Sequence, residues 1–378
     1  MEIEKARRQI DLLDDQIAKL FGERMSLVRE IGLEKAKGAV FAADAGREKE
    51  IVNRIAKAAA PDIRVYLKQV FGTLFDTSKA YQNRFIKLHS DVGDVLRALP
   101  AEKPAFPDSA TVACQGTQGA FSALAAEKLF KLSEITYFRN FEGVFNAVQS
   151  GLCEYGVLPI ENSSAGSVGR VYDLMKQYKF TIVKAARLQV RHNLMAKPGA
   201  RLGEIREVVS HEQALAQCAE HLKKFGDVKL TACDNTAVAA KLVADSPRAD
   251  VAAISSAECA DLYGLQVLEP DIHDNAGNFT RFICISRKLQ IFKGANKISI
   301  MVKLANESGA LQHILSKFTV LGLNLTKLES RPLPNTNFEF LFYFDFEADA
   351  SSGEVLNLLA ELSAGAGQFV FLGNYLEN

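Results

Sequence analysis

The fold of the central part of the chain is decided by the apolar stretch Tyr155-Gly156-Val157-Leu158, which leads into the polar loop Pro159-Ile160-Glu161-Asn162-Ser163-Ser164. A helical pattern follows near Val171. Short apolar runs that precede a loop and a helical pattern recur at residues 111–114, 208–209 and 251–254. This recurrence predicts a mostly parallel α/β domain. Such domains bind ligands at the loops beyond the carboxyl ends of their strands.

The first 90 or so residues have the rhythm of long helices. Apolar residues recur at alternating steps of three and four, with one gap, along two seams: Ile10, Leu13, Ile17, Leu20, Leu27 and Ile31, and then Leu67, Phe71, Leu74, Tyr81 and Phe85. A shorter helix is predicted between them, over about 44–59, before Pro61. A helix of about 30 residues reaches beyond any core that its own segment can build, so a homodimer or a higher homo-oligomer is predicted.

Two further segments complete the chain. Residues 101–108 lack periodicity and contain Pro104 and Pro107, which is typical of a linker. From about 297 to 375 the pattern predicts the order βαββαβ of a ferredoxin-like α+β domain. The strands are expected at 298–304, 323–329, 338–346 and 369–372, and the helices at 310–318 and 354–362.

Composition limits the classes of function. A chain of 378 residues is too long for one ordinary core, so two or three domains are expected. The 45 basic and 45 acidic residues give a formal net charge of +0, so no overall charge attracts the chain to nucleic acid or to anionic lipid. The six cysteines form no CxxC pair, no apolar signal segment opens the chain, and no stretch approaches the ~18 apolar residues of a membrane span. A cytoplasmic location is expected.

Two polar residues interrupt the helical seams. Arg24 occupies the seam position before Leu27, and Ser78 occupies the position before Tyr81. A charge on a packed seam is costly unless it is paired. A solvated ion pair would explain any one charged residue of this segment. Polar residues on two opposed seams instead predict a dry pocket for a small dianion, because arginine binds carboxylates through bidentate hydrogen bonds.

The polar residues of this segment resemble, position by position, the pocket of the all-helical chorismate mutases: Arg7, Arg24, Lys35, Asp44, Arg47, Glu48, Ser78 and Gln82. The resemblance assigns residues 1–92 to this domain and 93–109 to a linker. It implies a one-step rearrangement of chorismate to prephenate, with Lys35 and Gln82 donating hydrogen bonds to the ether oxygen. Arg24 and Arg47 would hold the carboxylates and Glu48 the substrate hydroxyl. Arg7 would come from the other subunit.

The central part carries the remaining polar candidates on three loops and one strand. They lie in Gly116-Thr117-Gln118-Gly119, in the loop 159–164, in Ser210-His211-Glu212-Gln213 with Gln217 one turn later, and in Asn278-Phe279-Thr280-Arg281-Phe282. Taken singly, the first is explained by a structural turn and the last by a structural strand. The sequences PIENS, SHEQA, YGL and NFTRF, in this order and spacing, resemble the prephenate dehydratases over residues 110–287.

That resemblance implies a two-lobed fold, similar to the periplasmic binding proteins, with the site in the cleft between the lobes. Prephenate would lose its ring carboxylate and ring hydroxyl together, with Thr280 as the donor to the leaving hydroxyl. The implied substrate-binding residues are Thr117, Asn162, Ser163, Ser210, Gln213, Gln217 and Arg281. Arg281 either pairs with the substrate or braces the lobe. No cofactor or metal is expected, because the histidines lack ligand spacing and no nucleotide-binding motif is present.

The C-terminal segment resembles the ACT domains that are fused to prephenate dehydratases. Two motifs carry the resemblance, one at the start of its first helix and one at the end of its second strand: Gly309, Ala310 and Leu311, and then Glu329, Ser330, Arg331 and Pro332. A turn glycine and a strand-end ion pair would explain either motif alone. Together they imply an L-phenylalanine site at a subunit interface and feedback inhibition through a population shift.

Three alternatives stay open at this point. The first 90 residues could be a non-catalytic dimerisation module, although a pure scaffold has no need of charges on its seams. The central domain could be a sensor without turnover. The dehydratase could prefer arogenate, which carries an amino group where prephenate carries a keto group.

Overall fold

A computed structural model describes residues 3–38, 45–307, 309–333, 339–365 and 367–377. Its α-helices are α1 Ile3–Ala36, α2 Ala45–Ala58, α3 Arg64–Asn83, α4 Asp91–Arg97, α5 Phe121–Leu129, α6 Phe141–Ser150, α7 Gly169–Tyr178, α8 Glu212–Gln217, α9 Ala219–Leu222, α10 Thr236–Asp245, α11 Ala257–Tyr263, α12 Ala310–Val320 and α13 Gly353–Gly365. Two 3₁₀ turns, Leu202–Glu204 and Lys223–Phe225, supplement them.

The strands are β1 Ser109–Gln115, β2 Leu132–Phe138, β3 Tyr155–Asn162, β4 Gly166–Ser167, β5 Thr181–Gln189, β6 Asn193–Ala196, β7 Glu207–Ser210, β8 Lys229–Ala232, β9 Val251–Ser255, β10 Gln266–Glu269, β11 Phe279–Ser286, β12 Lys297–Leu304, β13 Leu325–Pro332, β14 Phe340–Glu347 and β15 Gln368–Glu377. The chain divides into two compact units. Unit 1 contains Met1–Ala101 and Ile298–Phe371, and unit 2 contains Glu102–Lys297 and Leu372–Asn378.

The predicted helical segment is confirmed as α1, α2 and α3 of unit 1. Helices α1 and α3 approach closely at Gly32, where an added Cβ would lie 3.2 Å from the Cα of Gln82 and 3.1 Å from a ring carbon of Phe85. The apolar seam of α1 is not buried by this contact. Its six predicted seam residues are each 47% to 63% exposed in the part of the chain that the structure describes.

The C-terminal part of unit 1 has the predicted element order βαββαβ, and its strands lie in the order β13-β14-β12-β15. Asn357 of α13 joins this part to the end of α3. Its Nδ2 donates to the carbonyls of Asn83 (2.6 Å) and Ile86 (2.8 Å), and its Oδ1 accepts from the amide of Leu88 (3.1 Å). The predicted strand 338–346 is observed as β14, and its first expected residue lies outside the described residues.

Unit 2 has two lobes, each built on one sheet. The first lobe has the strand order β5-β11-β3-β1-β2, and the second has β10-β6-β9-β7-β8. The first lobe buries Val157, Phe282 and Cys284 in its core, and full burial of such apolar side chains stabilises the fold by ~2 kcal/mol each. The two-lobed α/β fold that the sequence predicted is therefore present.

The prediction of a mostly parallel sheet is only partly right. Strand β1 runs parallel to β2 and β3, and β7 runs parallel to β8 and β9. However, β11 is antiparallel to both β3 and β5, and β6 is antiparallel to both β9 and β10. The reason is the path of the chain. The chain leaves the first lobe after β5 and returns to it along β11. The strands next to these two crossings between the lobes therefore run opposite to their neighbours.

Two element boundaries also differ from the sequence-based expectation. The predicted linker 93–109 begins inside α4, because the Ser90 side chain caps that helix by accepting from the amide of Gly93 at 3.0 Å. The last strand was expected at 369–372 but extends to Glu377. Gly373 and Asn374 interrupt the apolar pattern, which is why the sequence predicted too short a strand. Both residues are nevertheless part of the packed sheet. An added Cβ at Gly373 would lie only 2.2 Å from the carbonyl oxygen of Ile182, and Asn374 donates to the carbonyl of Lys297 at 3.0 Å.

Among the described residues, no helix is long and apolar enough to span a bilayer.

Candidate active sites

The predicted pocket of the helical segment centres on a contact between α1 and α3. The guanidinium of Arg24 donates to the hydroxyl of Ser78, which itself donates to the carbonyl of Leu74 at 2.5 Å. Burial lowers the pKa of Arg24, because the charged form is disfavoured when water is excluded. The two polar seam residues therefore meet between α1 and α3, in a contact that is partly buried.

A partly buried ion cluster adjoins this contact. Lys79 lies 3.3 Å from a carboxylate oxygen of Glu48 on α2 and 3.2 Å from one of Asp76 on α3. Burial alone would lower the pKa of Lys79, but the two carboxylates outweigh it and raise that pKa. Asp76 also lies 3.2 Å from Nδ1 of His313 on α12. Glu48 is thus held by a cation that the sequence analysis did not select.

The other predicted residues of this pocket have different surroundings. Gln82 follows Ser78 by one turn on α3 and is buried, and its Oε1 has no hydrogen-bond partner among the described residues. Lys35 is half-buried near the end of α1, and Arg47 is exposed on α2. Arg7 is exposed and pairs with Glu4, and its position 17 residues before Arg24 puts it roughly 25 Å away along the helix axis. Asp44 lies outside the described residues.

In unit 2, the orientation of one amide organises the polar residues between the lobes. The Oδ1 of Asn162 accepts from the backbone amides of Ser164 (3.0 Å) and Ala165 (2.8 Å). Backbone N–H groups only donate, so this end of the side chain must be its oxygen. Its Nδ2 consequently donates to Oγ1 of Thr280 (2.9 Å) and to Oδ1 of Asn278 (2.8 Å). The proton of the Thr280 hydroxyl is left without an acceptor in the described residues.

A series of hydrogen-bonded side-chain amides links Asn162 to a buried histidine. Because Oδ1 of Asn278 accepts, its Nδ2 donates to Oε1 of Gln217 at 3.1 Å. The same oxygen lies 2.9 Å from Nε2 of His192, which must therefore carry the ring proton. Burial lowers the pKa of His192 and favours this neutral form. In the described part of the chain, Nε2 of Gln217 has no hydrogen-bond partner, so its protons remain for a ligand.

Three of the predicted substrate-binding residues are already engaged by the protein. The hydroxyl of Ser163 donates to the carbonyl of Gly277 (2.7 Å) and accepts from the amide of Phe279 (2.9 Å). Ser210 is fully buried and donates to the carbonyl of Ile254 at 2.7 Å. The side chain of Thr117 is hydrogen-bonded to Tyr263. Gln213 is exposed on α8, where the ring of His211 caps the helix by accepting from its backbone amide.

Arg281 braces the protein in this structure. Its guanidinium is buried, donates to the hydroxyl of Tyr375 at 2.5 Å and lies 3.2 Å from a carboxylate oxygen of Glu377. Side chains alternate along a strand, and the register pairs Thr280 with Asn162 but Arg281 with Glu161. Thr280 and Arg281 therefore face opposite sides of the sheet.

The third predicted site lies in unit 1. Gly309, with φ +91°, directly precedes α12, and Glu329 to Pro332 end β13 at the edge of the sheet. In a strand–helix–strand connection, the helix starts at the end of the sheet where the first strand terminates, and the second strand terminates at that same end. The start of α12 and the end of β13 therefore lie at the same end of the sheet. Ser308 lies outside the described residues.

Sequence reasoning missed Lys79, His192 and Glu377, and it quoted Asn278 as part of a motif without giving it a role. Lys79 could have been found, because it lies one turn after Asp76 and next to a seam residue. His192 has no neighbouring polar motif, and its partner Gln217 lies 25 positions later. No group of His, Cys, Asp and Glu in the described residues could hold a metal ion.

Fold and polar contacts together define a multidomain chain in which a helical segment with a polar contact between α1 and α3 is combined with a two-lobed α/β unit that carries a network of amides and hydroxyls. A family model described as Chorismate mutase type II matches residues 6–83, and one described as Prephenate dehydratase matches residues 112–290. The chain is 30% identical over 378 residues to the bifunctional chorismate mutase/prephenate dehydratase of Escherichia coli, across 98% of this chain and 95% of that protein.

Two further similarities each cover 70% of the chain. The chain is 40% identical over 276 residues to arogenate dehydratase/prephenate dehydratase 2 of Arabidopsis thaliana, covering 70% of this chain and 72% of that protein. It also resembles the crystal structure of the Arthrobacter aurescens prephenate dehydratase in complex with L-Phe. The TM-score is 0.64 at 30% identity, over 70% of this chain and 89% of that one.

The chain belongs to the family of bifunctional chorismate mutase/prephenate dehydratases. It has both activities, converting chorismate to prephenate and prephenate to phenylpyruvate in the synthesis of phenylalanine.

Proposed function

We propose that dehydration of prephenate depends on Thr280, and the orientation of Asn162 is the observation that supports this most directly. The amide of Asn162 donates to Thr280 Oγ1, so the threonine proton is available to the leaving ring hydroxyl. A hydroxyl that accepts one hydrogen bond donates a stronger one, because the two bonds polarise each other. Aromatisation drives the loss of CO₂ and water, so donation by a neutral hydroxyl is sufficient and no strong base is needed.

The remaining polar residues of this site would orient prephenate. Gln217 keeps Nε2 for the substrate while its Oε1 is held by Asn278. Ser163, Ser210 and Thr117 act through the loops and strands that they fix, since their side chains bond to the protein. Gln213 is exposed and therefore accessible to substrate.

Mutation of Thr280 tests the donor role. Thr280→Ala should lower kcat for prephenate by about 10²-fold to 10⁴-fold, the usual contribution of a positioned proton donor, with KM within about threefold. Thr280→Ser keeps the hydroxyl and should retain most of the turnover. Phenylpyruvate formation measures both variants, and mutase turnover of the same preparations serves as the control for folding. A loss of affinity at unchanged kcat would contradict the proposal.

For the mutase, we propose that Arg24 and Arg47 bind the substrate carboxylates and that Lys35 and Gln82 donate to the ether oxygen. Glu48 would take the substrate hydroxyl, with its carboxylate positioned by Lys79 at 3.3 Å. The partly buried Arg24–Ser78 contact, with Ser78 itself buried, supports a pocket of restricted water access at the α1–α3 crossing. Such a pocket accelerates a one-step rearrangement by holding the reactive conformer and stabilising the charge that develops on the ether oxygen.

Lys35→Ala should reduce mutase turnover by about 10²-fold to 10³-fold, because one preorganised donor to the developing charge is lost. Dehydratase turnover should stay within about twofold. Lys37→Ala is the matched control, since Lys37 lies on the same helical end but is exposed and paired with Glu34. Unchanged mutase turnover in the Lys35 variant would remove Lys35 from the site.

We further propose that the active mutase is a homodimer joined along the exposed seam of α1. Six apolar seam residues without cover in one chain form a surface that a second copy would bury. The dimer also gives Arg7 a role, because Arg7 lies far from Arg24 on the same helix but could enter the partner's pocket.

Mixed dimers test this arrangement. Arg7→Ala and Lys35→Ala homodimers should both lack mutase activity, whereas co-expression of the two chains should restore about a quarter of the wild-type turnover. In a mixed dimer one pocket has an intact Lys35 and an intact partner arginine, and the other has neither. Absence of complementation in a preparation shown to contain mixed dimers would place Arg7 in its own chain's site or in none.

The βαββαβ part of unit 1 is proposed to be an ACT domain that binds L-phenylalanine and inhibits the dehydratase. The proposed domain limits are 1–92 for the mutase, 110–287 for the dehydratase and 297–375 for the ACT domain. The relative from Arthrobacter aurescens, which was solved in complex with L-Phe, supports the choice of ligand. Backbone amides of the first turn of α12 would receive the carboxylate of the amino acid.

Two glycines at opposite ends of α12 allow a matched test. Gly309 (φ +91°) and Gly322 (φ +65°) both have a backbone conformation that favours glycine, so alanine strains either position. Gly309→Ala should weaken phenylalanine binding by about tenfold, equivalent to ~1.4 kcal/mol, whereas Gly322→Ala should leave it unchanged. Calorimetric titration gives the affinity, and phenylpyruvate formation gives the inhibition. Failure of the wild type to bind phenylalanine, or binding without inhibition, would refute this part.

A further inference from the structure

The end of the chain supplies a buried carboxylate to the strand that carries Thr280. Glu377 on β15 has only 7% of its side chain exposed. One of its carboxylate oxygens lies 2.7 Å from Nε of Arg187 and 3.2 Å from Nε of Arg281, and the other pairs with the ammonium of Lys297. Three cations from three strands thus converge on one anion.

The strand register explains why an anion is needed there. Arg281 of β11 is paired directly with Arg187 of β5, and like charges in directly opposed positions destabilise a sheet. Glu377 is paired with Ala185, two residues before Arg187. Burial by itself would raise the pKa of Glu377, but the three cations outweigh it and lower that pKa.

Two further partners of Arg281, Glu161 and Tyr375, are weaker substitutes for this carboxylate. Glu161 is 3.9 Å from Arg281 and is more exposed, with 37% of its side chain accessible against 7% for Glu377. Tyr375 accepts a hydrogen bond from Arg281 at 2.5 Å but is uncharged. Without Glu377, Arg281 and Lys297 would be buried cations with incomplete neutralisation, which is strongly unfavourable.

The cluster acts on the strand next to the reacting group. Arg281 follows Thr280 directly on β11 and faces the opposite side of the sheet, so the cluster restrains the backbone from behind while Thr280 faces Asn162. A β-bulge follows immediately, between Arg281 and Phe282, where β11 and β3 change register. Ladder hydrogen bonds are disrupted at a bulge, so side-chain anchors matter more there.

We propose that Glu377 is a positioning residue of the dehydratase, which holds Arg281 and thereby fixes the location of the Thr280 hydroxyl. This inference rests on the proposed role of Thr280. It places the last residues of the chain, which follow the ACT-like segment, within the machinery of the dehydratase.

The experiment uses the full-length enzyme and separates kcat from KM. Glu377→Gln should lower kcat for prephenate by about 10-fold to 100-fold, because misplacement of a catalytic group by about 1 Å costs that much, with KM changed less than about twofold. Mutase turnover should be unchanged. Glu220→Gln is the matched control, since Glu220 forms an exposed ion pair with Lys223 at 2.6 Å in the same unit.

A double-mutant cycle shows whether Glu377 acts through Arg281. The variant with both Arg281→Gln and Glu377→Gln should have the kcat of Arg281→Gln alone, within about twofold, because residues that act as one unit are not additive. Multiplying effects in the double variant would overturn the proposal.

Tyr375→Phe provides a second, milder probe in case Glu377→Gln does not fold. It removes one hydroxyl from a fully buried ring and should lower kcat by about threefold or more, in line with the loss of one hydrogen bond to a charged group. Wild-type kcat in this variant and in a folded Glu377→Gln would overturn the inference. Wild-type dehydration in Thr280→Ala would instead overturn the proposed function, so the two failures are distinguishable.

Discussion

The hydrogen bonds of the Asn162 side chain are the constraint on which the dehydratase site depends. Two backbone amides, of Ser164 and Ala165, fix the amide oxygen, so the nitrogen must face Thr280 and Asn278. In each later hydrogen bond of this series it is then fixed which atom donates and which accepts, and the series ends at Nε2 of His192. A single turn of backbone therefore determines the direction of every proton in the network. The same turn explains why the loop after β3 contains an asparagine followed by small residues.

The two activities make similar demands, and the chain meets both with neutral or permanently charged groups. Neither rearrangement nor aromatising dehydration needs a group that titrates near neutral pH. Accordingly, burial lowers the pKa of the histidine beside Gln217 and favours its neutral form, and two carboxylates raise the pKa of the half-buried lysine beside Glu48 and favour its charged form. In both sites, burial strengthens the hydrogen bonds that orient the reactive groups, and each buried charge has a partner.

Much of this architecture could be predicted because it depends on local periodicity. The three-four spacing of Ile10, Leu13 and Ile17 identifies a helix whatever it packs against, and the seam positions of Arg24 and Ser78 predict the contact that these two residues make between α1 and α3. Partners that are distant in sequence could not be predicted, because spacing contains no information about them. The fold of the second lobe brings His192 into contact with Gln217, which lies 25 positions later. The reversal of β11 against β3 arises from the crossing between lobes, which no local pattern records.

The role of Arg281 shows how a position can be predicted while its purpose is not. The motif identified Arg281, yet its partners Tyr375 and Glu377 lie more than 90 residues later. They belong to the end of β15, which the sequence did not predict because Gly373 and Asn374 interrupt the apolar pattern of that strand. The end of β15 belongs to unit 2, where Leu376 and Glu377 pair with Lys184 and Ala185 of β5. This pairing brings the carboxylate of Glu377 to 3.2 Å from Arg281. A contact between strands so far apart in sequence leaves no mark in any local pattern, so the motif could identify Arg281 but not the anion that holds it.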